Sequence, residues 1–251
     1  MTADEVIAAL VLPAAACVDR RVPKTLLVEH GARTAADRRQ INEGIEQAQW
    51  VAALKPTTIG VAAYRDDARE YLEIAVLRVA LREPARPPRL GELVHRAIPY
   101  PVLLVTEQRE AVMISVAHKR WSQAEAQKTV LDAEPVAVAA PRQGEPHAGA
   151  FATALALGRQ PQASLYALYQ GWLDTLLALE AARVSGAFSI LPDAERRAAR
   201  KEALAECARL DAEIARLRAA AKKEKQMARQ IALNQELKRA EAARAAALAR
   251  L

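Results

Sequence analysis

Residues 70–81, with the sequence EYLEIAVLRVAL, decide the fold that this chain is predicted to adopt. In a strand, Leu72, Ile74 and Val76 would lie on one face, and from Ile74 onward the residues on the other face are apolar as well. A strand that is apolar on both faces is typical of the middle of a sheet that is covered on both sides. The pattern therefore predicts a central strand, and the other elements are assigned around it.

The segments around this strand predict further strands and helices. The predicted strands are short apolar runs between turn residues, at 25–29, 57–64, 102–106 and 111–117. The predicted helices have apolar residues at spacings of three and four, at 2–12, 34–54, 90–97, 148–157 and 162–184. Residues 18–24 are predicted to be a charged loop, and Thr34 with Asp37 is predicted to cap a helix. The chain is thus expected to be α+β, with a mostly antiparallel sheet and covering helices.

Residues 192–251 are predicted to form a long, coiled-coil-like helical arm. The apolar positions keep the spacing of four and three that is typical of packed helices, at Ala203, Cys207, Leu210, Ile214, Leu217 and Ala221. A charged run at 222–225 interrupts this seam. A looser seam resumes at Ala228, Ile231 and Leu237. The interruption predicts a helical hairpin, or an arm that packs partly on residues 162–184.

The predicted domain organisation follows from these patterns. It consists of an α+β core domain at 1–131, a linker with core-packing helices at 132–191 and the basic, Ala-rich arm at 192–251.

The net positive charge of the chain is concentrated in this arm. The formal net charge is +6, and residues 192–251 carry fifteen Lys and Arg against nine Asp and Glu, so the rest of the chain is neutral. A basic helix attracts nucleic acid or an acidic protein surface. The predicted phosphate contacts lie at the end of the last core strand and along one helical stripe, namely His118, Lys119, Arg120, Arg218, Lys222, Lys225 and Arg229. The alternative is that the charges of the arm only keep the helix solvated.

Cysteine placement and the N-terminal sequence predict a cytoplasmic protein. Cys17 and Cys207 are far apart and indicate no disulfide framework, which agrees with a reducing compartment. Residues 6–17 imitate a lipoprotein signal peptide, but Asp4 and Glu5 precede them and no Lys or Arg does. No other apolar run approaches the roughly 20 residues that a membrane-spanning helix needs. We therefore expect no association with a membrane.

The sequence lacks the common catalytic and metal-binding motifs. Phosphate-binding glycine loops, nucleophile elbows and zinc-protease motifs are all missing, and the four histidines and two cysteines are not at ligand spacing. No cofactor and no metal are predicted. Glu70 and Glu73 together with His118 and Lys119 are the residues from which a metal-dependent nuclease site could be built. Such a site usually needs a carboxylate two positions before the lysine, and Ala117 stands there.

Five stretches distributed over most of the chain are distinctive. They are VDRRVPK at 18–24, REYLEI at 69–74, HRAIPYPVLL at 95–104, SVAHKR at 115–120 and KEKQMARQ at 223–230. Together they resemble a bacterial family of domains of unknown function, DUF4391. The resemblance implies an association with helicase and DNA methyltransferase genes in phage-defence operons that are similar to restriction-modification systems. It implies no activity and no catalytic residue.

The resemblance and the charge pattern lead to one expected function and two alternatives. We expect a non-catalytic accessory subunit of a DNA-targeting anti-phage defence assembly, which docks on a helicase or DNA methyltransferase of the same operon. DNA is an alternative ligand of the basic arm. The other functions considered are a metal-dependent nuclease centred on Glu70, Glu73, His118 and Lys119, and a structural protein that dimerises through residues 192–251.

Overall fold

The computed structural model describes residues 1–125 and 128–251. These residues form two compact units, Met1–Leu176 and Leu177–Leu251, so the boundary falls inside a long helix. The organisation expected from sequence, with bounds at 131 and 191, stays a prediction. Among the described helices, none combines the length and the apolar composition that crossing a bilayer requires.

The first unit is built on a six-stranded mixed sheet. In chain order the strands are β1 Cys17–Arg21, β2 Ile45–Leu54, β3 Tyr64–Arg65, β4 Glu70–Tyr71, β5 Ile74–Leu81, β6 Val102–Gln108, β7 Ala111–Val116, β8 Lys119–Trp121, β9 Thr129–Leu131 and β10 Val136–Ala139. The six strands lie in the order β1-β2-β5-β6-β7-β10, while β3 pairs with β4 and β8 with β9. Strands β5 and β6 are parallel and all other pairs are antiparallel. The α+β class with a mostly antiparallel sheet is confirmed.

The helices cover the sheet and form the C-terminal part of the chain. In chain order they are α1 Ala3–Ala9, α2 Lys24–Gly31, α3 Ala35–Gly44, α4 Pro56–Ile59, α5 Pro87–Ala97, α6 Ala148–Leu155, α7 Leu165–Ser185, α8 Ala194–Lys223 and α9 Met227–Leu248. Thr34 caps α3 by accepting a hydrogen bond from the backbone N–H of Asp37, as predicted. Because parallel strands need a crossover connection, α5 joins β5 to β6.

The central position predicted for residues 70–81 is confirmed for the part from Ile74 to Leu81. Strand β5 lies between β2 and β6, and Leu77 and Val79 are almost fully buried. On one face they belong to a cluster that includes Leu27 of α2 and Leu93 and Val94 of α5. Residues 70–81 are not one continuous strand, however, because β4 ends at Tyr71 and pairs with β3 instead of the main sheet.

Residues 45–54 were predicted as the end of a helix, and this prediction is wrong because they form β2. Ile45, Ala48 and Ala52 are buried at helix-like spacings of three and four. The spacing arises because the pairing of β2 with β5 is irregular between Ile45 and Gln47 and again between Trp50 and Ala52. Each irregularity shifts the alternation of buried and exposed residues, so a bulged strand imitates a helix in sequence.

Three other local predictions are wrong as well. Residues 25–29, expected to be a strand, belong to helix α2, where Leu27 packs into the cluster below the sheet. Within 57–64, expected to be a strand, Pro56–Ile59 is a helical turn that starts with proline, and β3 begins at Tyr64. Most of the predicted loop at 18–24 is the edge strand β1, in which Arg20 pairs with Trp50 of β2.

The second unit contains the predicted helical hairpin. Helices α8 and α9 are joined by the three residues Glu224–Gln226. The seam consists of Cys207, Leu210, Ile214 and Leu217 of α8 against Leu233, Leu237, Ala240 and Ala247 of α9. The four α8 positions and Leu237 were predicted, whereas Leu233, Ala240 and Ala247 were not. Ala228 and Ile231, predicted to lie in the seam, are exposed. The charged run at 222–225 therefore marks the turn of the hairpin.

Candidate functional site

His118 lies in a hydrogen-bonded chain of side chains in the first unit. Its Nδ1 contacts the hydroxyl of Tyr71, and its Nε2 lies 2.9 Å from Oε1 of Gln170 in α7. Gln170 Nε2 donates to Asp174 Oδ1 at 2.8 Å, which leaves Gln170 Oε1 as the acceptor. Nε2 therefore carries a proton and donates to Gln170, and in the neutral imidazole Nδ1 accepts from the Tyr71 hydroxyl. Both ring nitrogens are occupied by neighbouring side chains.

Lys119 is buried and serves the end of a helix. Its side chain is almost fully buried, and Nζ donates to the carbonyl oxygens of His95 and Ile98 at the C-terminal end of α5. The last carbonyls of a helix lack partners within the helix and attract a cation. Burial lowers the pKa of Lys119 to about 7. Its position assigns it to holding α5 against β8, away from solvent.

His95 is the second buried titratable group at this helix end. It is fully buried, and its Nε2 lies 2.9 Å from the hydroxyl of Ser115 in β7. Burial, followed by the nearby charge of Lys119, lowers the pKa of His95 to about 3. The imidazole is thus neutral at physiological pH.

The two candidate carboxylates are each bound to a different cation. Glu70 Oε1 lies 3.0 Å from Arg65 Nε across the β3–β4 pair. Glu73 is buried, and its Oε2 lies 3.0 Å from Lys55 Nζ. Over residues 1–125 and 128–251, no three His, Cys, Asp or Glu side chains are grouped as metal ligands. The structure therefore gives Glu70, Glu73, His118 and Lys119 separate partners.

Arg120, the third residue of the predicted phosphate contact at 118–120, also has an internal partner. Its Nε lies 3.4 Å from Asp132, which also accepts a hydrogen bond from Arg69 at 2.7 Å. His118, Lys119 and Arg120 thus contact three different groups of residues. They do not form one cationic surface.

Sequence reasoning missed the aromatic cluster around Tyr71. Tyr166 of α7 stacks on Tyr64 with ring centroids 4.9 Å apart and meets Tyr71 edge to face at 5.3 Å. The hydroxyl of Tyr169 donates to the Val102 carbonyl at 2.6 Å and accepts from the backbone N–H of Ala117 at 2.7 Å. These contacts join residues that are about 50 to 100 positions apart in the chain, so no local spacing could indicate them.

A shallow polar depression lies on the main sheet. It has a volume of about 250 Å³ and is lined by Gln47, Gln49, Arg78, Ala80 and Glu107. Arg78 donates to Glu107 at 2.9 and 3.0 Å and to Asp4 at 2.6 Å. Because two carboxylates face one guanidinium, the depression has no surplus positive charge for an anionic ligand.

The turn of the hairpin carries cations that have no such partners. We define the hairpin tip as residues 216–231, which contain six Lys and Arg and one Glu. Glu224 Oε1 accepts the backbone N–H groups of Lys225 and Gln226, each at 2.8 Å, and so is directed to the turn. Among the described residues, no carboxylate pairs with Lys222, Lys223, Lys225 or Arg229, all of which are exposed.

The predicted phosphate-binding stripe has a different geometry from the one expected. Lys222, Lys225 and Arg229 do not share one continuous helical face, because α8 ends at Lys223 and α9 begins at Met227. They surround the turn instead. Arg218 donates to Glu241 of α9 at 2.7 Å and so links the two helices. All four predicted arm residues lie in the tip. Arg218 has a carboxylate partner there, whereas the other three have none among the described residues.

Comparisons with known proteins give one result. The family model of a domain of unknown function (DUF4391) matches residues 10–243. No curated protein and no solved structure matches the chain.

Proposed function

The chain belongs to the DUF4391 family, and from this premise we propose that it is a non-catalytic accessory subunit that binds a partner through the hairpin tip. The assembly that we propose is a DNA-targeting, anti-phage defence system of the restriction-modification type. The proposed partner is a helicase or DNA methyltransferase encoded in the same operon. This choice follows from the gene context that the family resemblance implies.

The residues considered for catalysis have hydrogen-bond partners inside the protein, whereas exposed cations of the tip lack carboxylate partners among the described residues. This difference supports a binding role. Each residue considered for catalysis makes its contacts inside the first unit. His118 is bound to Tyr71 and Gln170, and Lys119 to the end of α5. The tip, in contrast, exposes cations with no carboxylate partner in the described part of the chain. Exposed charges without internal partners remain available for a ligand, and their field speeds association with an acidic surface.

Duplex DNA is the second ligand that these charges could attract. Each phosphate that a Lys or Arg neutralises releases counterions, so such binding would be independent of sequence and steeply weakened by salt. Four cations at the tip correspond to a log–log salt slope of roughly −3 to −4 on duplex DNA.

Affinity purification from the native host tests the proposal. The tagged wild-type chain is compared with a tip variant (Lys222→Gln, Lys223→Gln, Lys225→Gln, Arg229→Gln). A control variant removes the same charge from exposed positions outside the tip (Lys201→Gln, Lys238→Gln, Arg239→Gln, Arg250→Gln). We expect a helicase or methyltransferase, identified by mass spectrometry, to copurify with the wild type and the control and to be lost from the tip variant.

Two outcomes would contradict the proposal. One is that neither enzyme copurifies with the wild-type chain. The other is that the purified chain cleaves plasmid DNA with Mg²⁺ or Mn²⁺ and that Glu73→Gln abolishes this cleavage, which would favour the nuclease alternative.

A further inference from the structure

The hairpin tip exposes two large apolar side chains among its cations. Met227 is 72% exposed and Ile231 is 52% exposed. They are four residues apart on α9 and therefore lie on one face, one helical turn apart. The α9 residues that pack on α8 are others, among them Leu233 and Leu237. The exposed pair is thus not part of the hairpin seam.

The same short segment accounts for most of the net positive charge of the chain. Residues 216–231 have a surplus of five positive charges out of a formal net charge of +6 for all 251 residues. The remaining 235 residues are therefore close to neutral. A surface that combines uncompensated cations with exposed apolar residues is complementary to a partner that is acidic and partly apolar.

We propose that the hairpin tip docks into an acidic groove with an apolar floor on a partner protein. The side chains of Met227 and Ile231 pack on the apolar floor of the groove. Lys222, Lys225 and Arg229 pair with Asp and Glu side chains at its rim. Protein interfaces commonly have this arrangement of an apolar centre and a polar border. The inference rests on the proposed function and specifies the chemistry of the surface that the partner presents.

The other possible occupants fit the tip less well. Duplex DNA would neutralise the cations, but its hydrated phosphate backbone offers no apolar contact to Met227 and Ile231. A helix that lies on a membrane needs an apolar face over several turns, and the next residues on this face are Asn234 and Lys238. A second copy of the chain would bring two tips of like charge together.

A binding experiment with defined probes tests the proposal on the full chain. The first probe is a helical peptide rich in Glu with Leu at spacings of three and four, and the second has the same Glu content with Gln in place of Leu. A duplex of about 20 base pairs and vesicles of phosphatidylcholine with phosphatidylglycerol are the other probes. Affinities are measured by fluorescence anisotropy or titration calorimetry at two salt concentrations.

We expect the wild-type chain to bind the Leu peptide about tenfold or more tightly than the Gln peptide, because two apolar side chains leave water. Met227→Ser with Ile231→Ser should reduce this ratio to about one and leave the affinity for the Gln peptide unchanged. A matched control replaces two exposed apolar residues outside the tip, Leu72→Ser and Ile190→Ser, and should keep the wild-type ratio. Circular dichroism verifies that each variant is folded.

Equal binding of the two peptides would overturn the inference, and so would tighter binding of the duplex or the vesicles than of the Leu peptide. These outcomes are separable from a failure of the proposed function. If no helicase or methyltransferase copurifies but the Leu peptide is preferred, the docking chemistry stands and the partner was wrongly identified. If copurification depends on the cations but not on Met227 and Ile231, the apolar part of the inference is wrong.

Discussion

Lys119 and Lys222 have the same ammonium group and opposite surroundings. Lys119 is almost fully buried and donates to two carbonyl oxygens at the end of α5. Lys222 is exposed at the hairpin tip and has no carboxylate partner in the described part of the chain. The difference teaches that sequence alone does not separate a lysine that stabilises the fold from one that is free to bind. The partners of each ammonium group separate them.

Replacing each of the two lysines by alanine should give the largest contrast. Lys119→Ala leaves two helix carbonyls without a donor and opens a cavity, so we expect the free energy of unfolding to fall by about 3–5 kcal/mol. Lys222→Ala should change it by less than about 0.5 kcal/mol. All three tryptophans, Trp50, Trp121 and Trp172, lie in the first unit, so urea unfolding of Lys119→Ala is followed by their fluorescence. Lys222→Ala is followed by far-UV circular dichroism.

Similar effects for the two variants would break this comparison. A stable Lys119→Ala protein would show that the ammonium group is not needed at the end of α5. A destabilised Lys222→Ala protein would show that the tip contributes to folding.

His95, which is buried near Lys119, predicts that the free energy of unfolding depends on pH. Its pKa is about 3 in the folded protein and about 6.5 when the chain is unfolded. Because the pKa of His95 is lower in the folded state, the neutral imidazole contributes its full share to the free energy of unfolding above about pH 6.5. This contribution is lost as the pH falls toward 3. Between about pH 7 and pH 4.5 this loss should reach about 2–3 kcal/mol.

His95→Gln isolates this contribution, because the glutamine amide can still donate to Ser115 but does not titrate. The unfolding free energies of the wild type and the variant are measured by urea titration across this range. We expect the wild type to lose more stability on acidification than the variant does. A difference between the two proteins that stays constant with pH would contradict the buried, neutral state of His95.

The smallest expected effect concerns an exposed ion pair of the hairpin. The side chains of Arg218 and Glu241 are 63% and 42% exposed, and their atoms lie 2.7 Å apart. Exposed pairs of this kind contribute little, so a double-mutant cycle with Arg218→Gln and Glu241→Gln should give a coupling of about 0.5 kcal/mol or less. High salt should reduce it further. A coupling several times larger would mean that the charges of α8 and α9 hold the hairpin together to a degree that the apolar seam does not suggest.

Helices and strands were predicted correctly where the spacing of apolar residues within the segment is regular and unambiguous. The central strand β5 and the α8 side of the seam follow from apolar periodicity, which the sequence displays directly. Strand β2 was assigned wrongly because its two irregularities imitate helical spacing. Helix α2 was assigned wrongly because a short apolar run does not distinguish a strand from a buried helix.

The candidate site was less predictable than the fold, because its contacts join distant parts of the chain. The two ring nitrogens of His118 are hydrogen-bonded to Tyr71 and Gln170, which are 47 and 52 positions away in the chain. The acceptors of Lys119 are 24 and 21 positions away. No spacing within a motif reports such contacts. The positive charge at residues 222–229 was visible in sequence, whereas its arrangement around a turn became visible only with the hairpin.

The length of the hairpin has a consequence for a partner that binds at the tip, because two paired helices act as a stiff spacer. Helix α8 has 30 residues, and at about 1.5 Å per residue it spans roughly 45 Å from Ala194 to the turn. Because α9 packs along it, the pair resists bending better than a single helix of the same length would. A partner bound at the tip would thus be held at a fixed distance from the base of the hairpin. Removing one heptad from each helix would shorten this spacer by about 10 Å and keep the apolar seam in register.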